Sequence, residues 1–210
     1  MDAALRRIQT KGYEQMSVQD LLDDLDASKG AFYHYFDSKR SLLLAVVDRM
    51  SDAALAPLAS VLEDPSVTAL QKLEAVFAGA AARSAEQRDL FLAVLETWTS
   101  DDNAIVREKV RRATALRLQP VLAPIVREGV EEGLFTVNSP EETAGVIVSL
   151  VHGFQERAID LFFGRRAGTI PFEAVLRANA ANIAAMERIL GIPQGSMKGL
   201  DESALRVWFG

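Results

Sequence analysis

The stretch that decides the fold is Ser17–Leu44, which reads SVQDLLDDLDASKGAFYHYFDSKRSLLL. Its first part carries apolar residues at the spacing of one helical face, namely Val18, Leu21, Leu22 and Leu25. Ser17 and Asp20 are spaced as a capping box, which predicts the start of that helix. Asp26 and Ala27 then interrupt the apolar pattern. The stretch therefore begins with a short helix followed by a turn.

A second short helix is predicted directly after this turn. Ser28 is placed as its N-cap, and Phe32 and Phe36 occupy the positions expected to be buried. The outward positions are basic or aromatic or lack a side chain, and they are Lys29, Gly30, Tyr33 and His34. Asp37 or Ser38 is expected to cap a third helix. The whole pattern predicts a helix-turn-helix, whose second helix reads the major groove of DNA.

These residues resemble the DNA-binding domain of the tetracycline-repressor (TetR) family of transcriptional regulators. The resemblance rests on KGYEQMSV at residues 11–18 and on ASKGAFYHYFDSKRSLLLAVV at residues 27–47. Three positions depart from the usual motif. Ala31 replaces a hydroxyl residue that typically bonds a phosphate, Tyr35 stands where His is common, and Asp26 stands where the turn usually has Gly. Asp tolerates the left-handed conformation, so we expect the turn to survive.

The first helix is also shorter than the resemblance implies. In the family it normally begins several residues earlier and follows a basic arm that can reach the minor groove. Here the chain starts almost inside the helix, at Met1. Either this protein dispenses with the arm or its natural start lies upstream of Met1.

Seven residues are candidates for contact with DNA. Those predicted to face base edges or to let the backbone approach the groove are Lys29, Gly30, Tyr33 and His34. Those predicted to hold phosphates are Ser17, Tyr35 and Lys39. The positive end of its helix would help Lys39 in this role.

The charge of the chain argues against DNA as a partner. The net charge is −6, and residues 1–50 hold seven Lys and Arg against eight Asp and Glu. Affinity for DNA rests largely on neutralised phosphates. However, Lys29, Lys39 and Arg40 fall on the recognition helix and the start of the next one. A local basic stripe with acidic flanks predicts modest affinity that depends strongly on salt.

Composition places the chain among ordinary globular proteins. It has 210 residues, of which 49% are apolar. The absence of cysteine excludes disulfides and thiolate metal sites. No apolar run approaches the roughly 18 to 20 residues that span a bilayer, and the N-terminus lacks a secretory signal pattern. We therefore expect a cytoplasmic protein that has no membrane partner.

The rest of the chain carries helical patterns, which predicts the all-α class. We expect a helix-turn-helix DNA-binding domain over residues 1–48 and a larger helical domain for effector binding and dimerisation over residues 49–192. A linker and a short helix are expected over residues 193–210. By resemblance, the last two long helices of the larger domain build the four-helix bundle of a homodimer.

Prolines and caps predict where several of these helices begin and end. The helix after Ser38 is expected to continue to about Leu62. Pro120 and Pro124 are expected to kink or split a later helix, because proline cannot donate to the helical ladder. Ser139 followed by Pro140 predicts the capped start of a long apolar helix.

A pocket for an effector would be mostly apolar with few polar anchors. The candidate effector-binding residues are Phe77, Phe91, Trp98, His152, Phe154 and Gln155. The aromatic residues among them fit a hydrophobic core equally well, and His152 also fits a hydrogen-bonded core or dimer-interface residue. Asp101 and Asp102 are interpreted as a helix cap, since no third metal ligand has suitable spacing. We expect no metal and no cofactor.

Three classes of function are compared. The first is a ligand-responsive transcriptional regulator, most often a repressor in this family, that binds a palindromic operator as a homodimer and is released by a small-molecule effector. An enzyme is disfavoured, because the chain has no cysteine, two distant histidines and no nucleophile or base constellation. The alternative is a regulator-like dimeric module that binds ligand or protein without strong DNA binding, which the acidic N-terminal domain favours.

Overall fold

The computed structural model describes residues 1–11, 13, 15–86, 88–89, 92, 95, 99 and 104–210. These residues contain helices and no strand, which confirms the all-α class. The described helices are α1 (Asp2–Lys11), α2 (Val18–Leu25), α3 (Lys29–Tyr35), α4 (Lys39–Leu55), α5 (Ala59–Glu63), α6 (Ala69–Glu86), α7 (Ala104–Glu131), α8 (Pro140–Arg166), α9 (Phe172–Leu190) and α10 (Glu202–Phe209). None of the described helices is long and apolar enough to cross a membrane.

The chain forms two compact units, each built from two segments. The N-terminal unit comprises residues 1–56 with 82–114, and the C-terminal unit comprises residues 57–81 with 115–210. The domain division expected near residue 48 stays a prediction.

The N-terminal unit has its own core, formed by α1, α2 and α4. Its buried members are Ala3, Ala4, Met16, Leu21, Leu42, Leu43 and Val46, and Tyr13, Phe32, Phe36 and Val110 pack against them while partly buried. Phe32 and Phe36 thus take the inward positions predicted for α3. Leu25 differs from the prediction, because it is 56% exposed. It is the last residue of α2, where the chain turns away and leaves its side chain uncovered.

The helix that follows Ser38 is shorter than predicted. It ends at Leu55, and a 3-10 turn at Ala56–Leu58 leads into the short helix α5. Pro57 lies in that turn, and a proline both lacks an N–H and clashes with the carbonyl four residues earlier. The expected continuation to Leu62 as one α-helix was therefore wrong.

Two other prolines do not divide their helix. Pro120 and Pro124 both lie inside the continuous helix α7, so of the two expected outcomes the split does not occur, and the kink stays a prediction. The two residues are exposed, and they stand four apart, so the hydrogen bonds they cannot make are missing from one face of the helix. Water can solvate the carbonyl groups on an exposed face, which limits the cost of the missing bonds.

The C-terminal unit is built on a core shared by α6, α7, α8 and α9. The fully covered residues include Leu73, Leu122, Ile147 and Leu190. Lys72 is also buried, and its Nζ donates to Glu128 Oε1 at 2.6 Å, which links α6 to α7. Ser139 is the N-cap of α8, but its side chain makes no capping hydrogen bond. The predicted start of α8 is confirmed, and the predicted capping interaction is not.

The segment after α9 is attached to the C-terminal unit through backbone groups. Glu187 of α9 is 2% exposed, and its Oε1 accepts from the N–H groups of Gly195 at 2.8 Å and Met197 at 3.0 Å. Beyond this segment, α10 buries Leu205 in a second core, with Leu161, Phe172 and Val175. The short terminal helix that the sequence predicts is therefore present and docked.

Candidate nucleic-acid interface

The predicted helix-turn-helix is present, and each of its helices begins at a residue whose side chain caps the helix N-terminus. Ser17 Oγ accepts from the N–H of Asp20 at 3.0 Å, and Asp20 Oδ2 accepts from the N–H of Ser17 at 2.7 Å. This reciprocal pair is the predicted capping box. The hydroxyl of Ser17 also donates to Asp20 Oδ2 at 2.8 Å, so the same side chain proposed for phosphate contact is engaged in the cap.

The turn between α2 and α3 is made by Asp26. Its backbone adopts φ 48° and ψ 44°, the left-handed region, and its N–H donates to the carbonyl of Leu22. The N–H of Ala27 donates to the same carbonyl at 3.0 Å. Asp visits this region occasionally, more often than most residues that have a side chain. The turn therefore forms without the glycine that the motif usually has.

The helix α3 presents the predicted outward residues to solvent. Ser28 Oγ accepts from the N–H of Ala31 at 3.2 Å, which caps the helix as predicted. The outward residues are all exposed, and they are Lys29, Gly30, Tyr33 and His34. Tyr35 is 76% exposed. Together Lys29, Gly30, Tyr33 and His34 define the exposed face of α3.

Gly30 has no evident role within the chain. A Cβ atom built at this position would meet a single atom within 4 Å, Ser28 Oγ at 3.8 Å, and its backbone does not require a positive φ. Gly30 is the second residue of α3, and alanine in place of glycine at a position with compatible backbone angles stabilises a protein by about 0.4–1 kcal/mol. Neither packing nor backbone conformation thus explains the glycine.

The start of α4 places a lysine beside an aromatic ring. Ser38 caps this helix through a reciprocal pair of hydrogen bonds with Ser41. Lys39 is the first helical residue, and its Nζ lies 4.2 Å from the centroid of the Tyr13 ring. Tyr13 was not among the candidate site residues, because a contact between residues so far apart in the chain leaves no local pattern.

Two ion pairs hold cations of the N-terminal unit against its own acids. The guanidinium of Arg7 donates to both carboxylate oxygens of Asp24, and Arg49 donates to Asp2. The hydrogen bond from Arg7 holds the pKa of the Asp24 carboxyl below its ordinary value, and Arg49 lowers the pKa of Asp2 in the same way. These pairs join α1 to α2 and α1 to α4. Both arginines are therefore paired with acids of the same unit.

The candidate effector-binding residues have different environments. Phe77 and Phe154 are partly buried, His152 is 8% exposed, and Gln155 is exposed. Phe91 and Trp98 lie outside the described residues, as do Asp101 and Asp102. The assignment of these residues to an effector pocket stays a prediction. Within the part of the chain that the structure describes, no group of three or more His, Cys, Asp or Glu side chains is arranged to hold a metal ion.

Two family models match the chain. Residues 1–46 match the bacterial regulatory proteins of the tetR family, and residues 93–168 match the tetracyclin repressor-like C-terminal domain. The first match contains the entire helix-turn-helix and the start of α4.

Two HTH-type transcriptional regulators are similar to this chain in sequence. An uncharacterized HTH-type transcriptional regulator of Lactococcus lactis subsp. lactis is 46% identical over 48 residues, which are 23% of this chain and 24% of that protein. The match thus spans about a quarter of that relative's length. The HTH-type transcriptional regulator EthR of Mycobacterium tuberculosis is 29% identical over 161 residues, covering 65% of this chain and 74% of EthR.

A solved structure supports the fold over most of the chain. The crystal structure of a TetR transcription regulator from Haloarcula marismortui ATCC 43049 matches with a TM-score of 0.60 and 18% identity. The match covers 90% of this chain and 93% of that chain. At this identity the likeness shows the fold.

Proposed function

Because the chain belongs to the tetR family of bacterial regulatory proteins, we propose that it is a ligand-responsive transcriptional regulator. In this role it represses transcription by binding a palindromic DNA operator as a homodimer, and a small-molecule effector releases it. The N-terminal helix-turn-helix supplies the DNA contacts, and the larger helical domain expected over residues 49–192 supplies the effector site and the dimer contacts.

The observation that carries the DNA-binding role is Gly30 on the exposed face of α3. The fold has room for a side chain at this position, and a glycine there lowers stability relative to alanine. A recognition helix that enters the major groove brings its first turn close to the DNA. The absence of a side chain at residue 30 then lets the helix approach the DNA closely, although it brings no benefit to the isolated protein.

The other contacts divide into those that read bases and those that hold the backbone. Lys29 and Tyr33, one helical turn apart and both exposed, face base edges, and His34 borders them. Phosphates are held by Ser17, Tyr35 and Lys39. Few cations take part, so the affinity for DNA is modest. The logarithm of the affinity falls as the logarithm of the salt concentration rises, and each phosphate contact adds about 0.9 to the steepness of that fall.

A homodimer places two recognition helices on two half-sites. Their centres must lie about 34–36 Å apart, one turn of the double helix, to reach successive major grooves. Val146 of α8 is an apolar residue that is 51% exposed, which supports a second copy of the chain as the molecule that covers this helix.

The effector acts by favouring a dimer in which the two recognition helices no longer match the half-sites. Its candidate contacts are Phe77, Phe91, Trp98, His152, Phe154 and Gln155. A complete switch, from 1:99 to 99:1 between the two states, requires about 5.5 kcal/mol of differential binding. Equal operator affinity with and without a saturating effector would reject this mechanism for that effector.

One observation favours the alternative, a dimeric module that binds ligand or protein without strong DNA binding. Arg7 and Arg49 are paired with Asp24 and Asp2, so at least two of the seven cations in residues 1–50 have acidic partners within the unit. This reduces the charge that is available to phosphates.

The two functions are separated by selecting bound fragments from genomic DNA with the purified protein. Affinity for the selected fragment is then measured over a range of salt concentrations, with Lys29→Ala as the test variant and Lys198→Ala as a matched control. Both substitutions remove one exposed lysine. We expect Lys29→Ala to weaken binding to the selected fragment by about 1–3 kcal/mol and to relax the sequence specificity. Lys198→Ala should leave both unchanged. Failure to enrich any fragment, even at low salt, would favour the alternative.

A further inference from the structure

We propose that Tyr13 is the positioning residue for Lys39, holding its ammonium group where it can meet a DNA phosphate. Tyr13 has this role only if the N-terminal unit binds DNA as proposed above. The evidence is a cation–π contact: Lys39 Nζ lies 4.2 Å from the centroid of the Tyr13 ring, within the roughly 6 Å over which a cation is attracted to a ring face.

The ring is itself held in place by the core. Tyr13 packs against the buried cluster of the N-terminal unit, which includes Met16, Leu42 and Val46. Its position between α1 and α2 brings it next to the first residue of α4. A side chain anchored in this way provides a fixed surface for the more flexible lysine.

A fixed surface matters because lysine is among the side chains that lose most conformational freedom when they bind. Contact with Tyr13 restricts the lysine before DNA arrives. The ammonium group has three donors, and the contact with the ring face does not occupy a hydrogen-bond acceptor. The N-terminal end of α4 favours an anion at the same place. The ring and the helix end therefore act on one phosphate contact.

A purely structural role for Tyr13 predicts a different result. If the ring serves only to fill the core, a change at residue 13 alters DNA affinity by the same factor whether or not Lys39 is present. A positioning role requires the effect of residue 13 to vanish when the lysine is removed. A double-mutant cycle separates the two cases.

The cycle uses two aromatic residues of nearly the same size at position 13. In Tyr13→Phe the negative ring face is kept, whereas pentafluorophenylalanine at position 13 has electron-withdrawing fluorines that abolish it. Each is prepared with Lys39 and with Lys39→Met, which keeps an apolar stem without the charge. Affinity for the selected operator fragment is measured over a range of salt concentrations, and urea unfolding reports whether each protein is folded.

When Lys39 is present, we expect the protein with pentafluorophenylalanine at position 13 to bind the operator more weakly than the Tyr13→Phe protein. The expected difference in affinity is about two- to fivefold per N-terminal unit. In the Lys39→Met background the two should bind equally. Lys39→Met should also lower the salt slope by about 0.9 for each phosphate that the lysine would neutralise. Equal reductions in affinity in both backgrounds would overturn the positioning role, as would an unchanged salt slope in Lys39→Met.

A second measurement does not depend on DNA. The ring current of Tyr13 should move the NMR signals of the Lys39 ε-methylene protons upfield, and Tyr13→Leu should abolish that shift. Absence of the shift in the folded wild-type protein would overturn the contact. If the wild-type protein shows the shift but binds no DNA, the proposed function fails and the positioning role fails with it. Binding without coupling between residues 13 and 39 overturns the positioning role alone.

Discussion

Gly30 is a residue at which folding and binding place opposite demands. A side chain there would meet only Ser28 Oγ, at 3.8 Å, so alanine fits the free protein. We expect Gly30→Ala to raise the free energy of unfolding by about 0.4–1 kcal/mol, because it removes the flexibility of glycine from the unfolded chain. The same substitution should weaken binding to the operator. Urea unfolding and fluorescence anisotropy on one preparation measure both effects.

The contrary outcomes for Gly30→Ala are distinct. Tighter or unchanged DNA binding would show that no close approach occurs at this turn of α3. A loss of stability would show that the free fold, rather than the complex, requires the glycine.

Gly129 is a second glycine, and here the fold does explain the residue. A Cβ at this position would lie 2.2 Å from Cδ2 of Phe135, whose ring is 3% exposed in the core of the C-terminal unit. We expect Gly129→Ala to lower the free energy of unfolding by about 1–3 kcal/mol, as overpacking does. Gly145→Ala is the control, since its Cβ would meet Gln119 Nε2 at 3.5 Å, an ordinary contact. Equal urea midpoints for the two variants would contradict this expectation.

At the scale of elements, the ion pair between Arg7 and Asp24 joins α1 to α2 and makes stability depend on pH. The pKa of Asp24 is lowered in the folded protein, chiefly by its hydrogen bond from Arg7. A lowered pKa means that the stabilisation is complete above the ordinary value of 3.8 and is lost as pH falls through the lower folded value. Wild type should therefore be more stable than Asp24→Asn at pH 7, and the difference should disappear in strong acid.

Urea unfolding at both pH values checks this dependence. Asp23→Asn is the matched control, because the neighbouring carboxylate accepts from Gln19 on its own helix and does not join two helices. A pH-independent difference between wild type and Asp24→Asn would show that the charge of Asp24 is not what stabilises the contact.

Most features of the helices in the helix-turn-helix could be predicted from the sequence. The N-caps at Ser17 and Ser28 were predicted correctly, and Ser38 was one of the two residues expected to cap α4, because a cap depends on residues three positions apart. The inward placement of Phe32 and Phe36 follows from helical periodicity in the same way. Local chemistry was therefore sufficient for most of the helix-turn-helix.

The errors arose where the outcome depends on surroundings. Pro57 ended a helix, whereas Pro120 and Pro124 did not, although the residue type is the same in each case. All three prolines are exposed, so neither the residue type nor its exposure separates the two outcomes. The contact between Lys39 and Tyr13 likewise joins residues that have no local relationship, so the site was predicted without its positioning residue.

At the scale of the whole molecule, the proposed function requires two copies of the chain. We expect the protein to be a dimer by light scattering. Val146→Arg should produce a monomer, because a charge placed in an apolar interface is costly to bury. Leu116→Arg is the control, since Leu116 is an apolar residue of α7 that is 76% exposed and does not belong to the two helices assigned to the dimer. A dimer that survives Val146→Arg would place the interface elsewhere.

The attachment of residues 195 and 197 to Glu187 has a consequence for how this segment can change during evolution. Glu187 accepts from backbone N–H groups, and nearly every residue type offers the same N–H. These two hydrogen bonds therefore do not depend on which side chains the segment carries, apart from Gly195, whose φ of 85° disfavours other residues. Among homologous proteins that retain this terminal segment, we expect an acid at position 187 and a glycine at position 195.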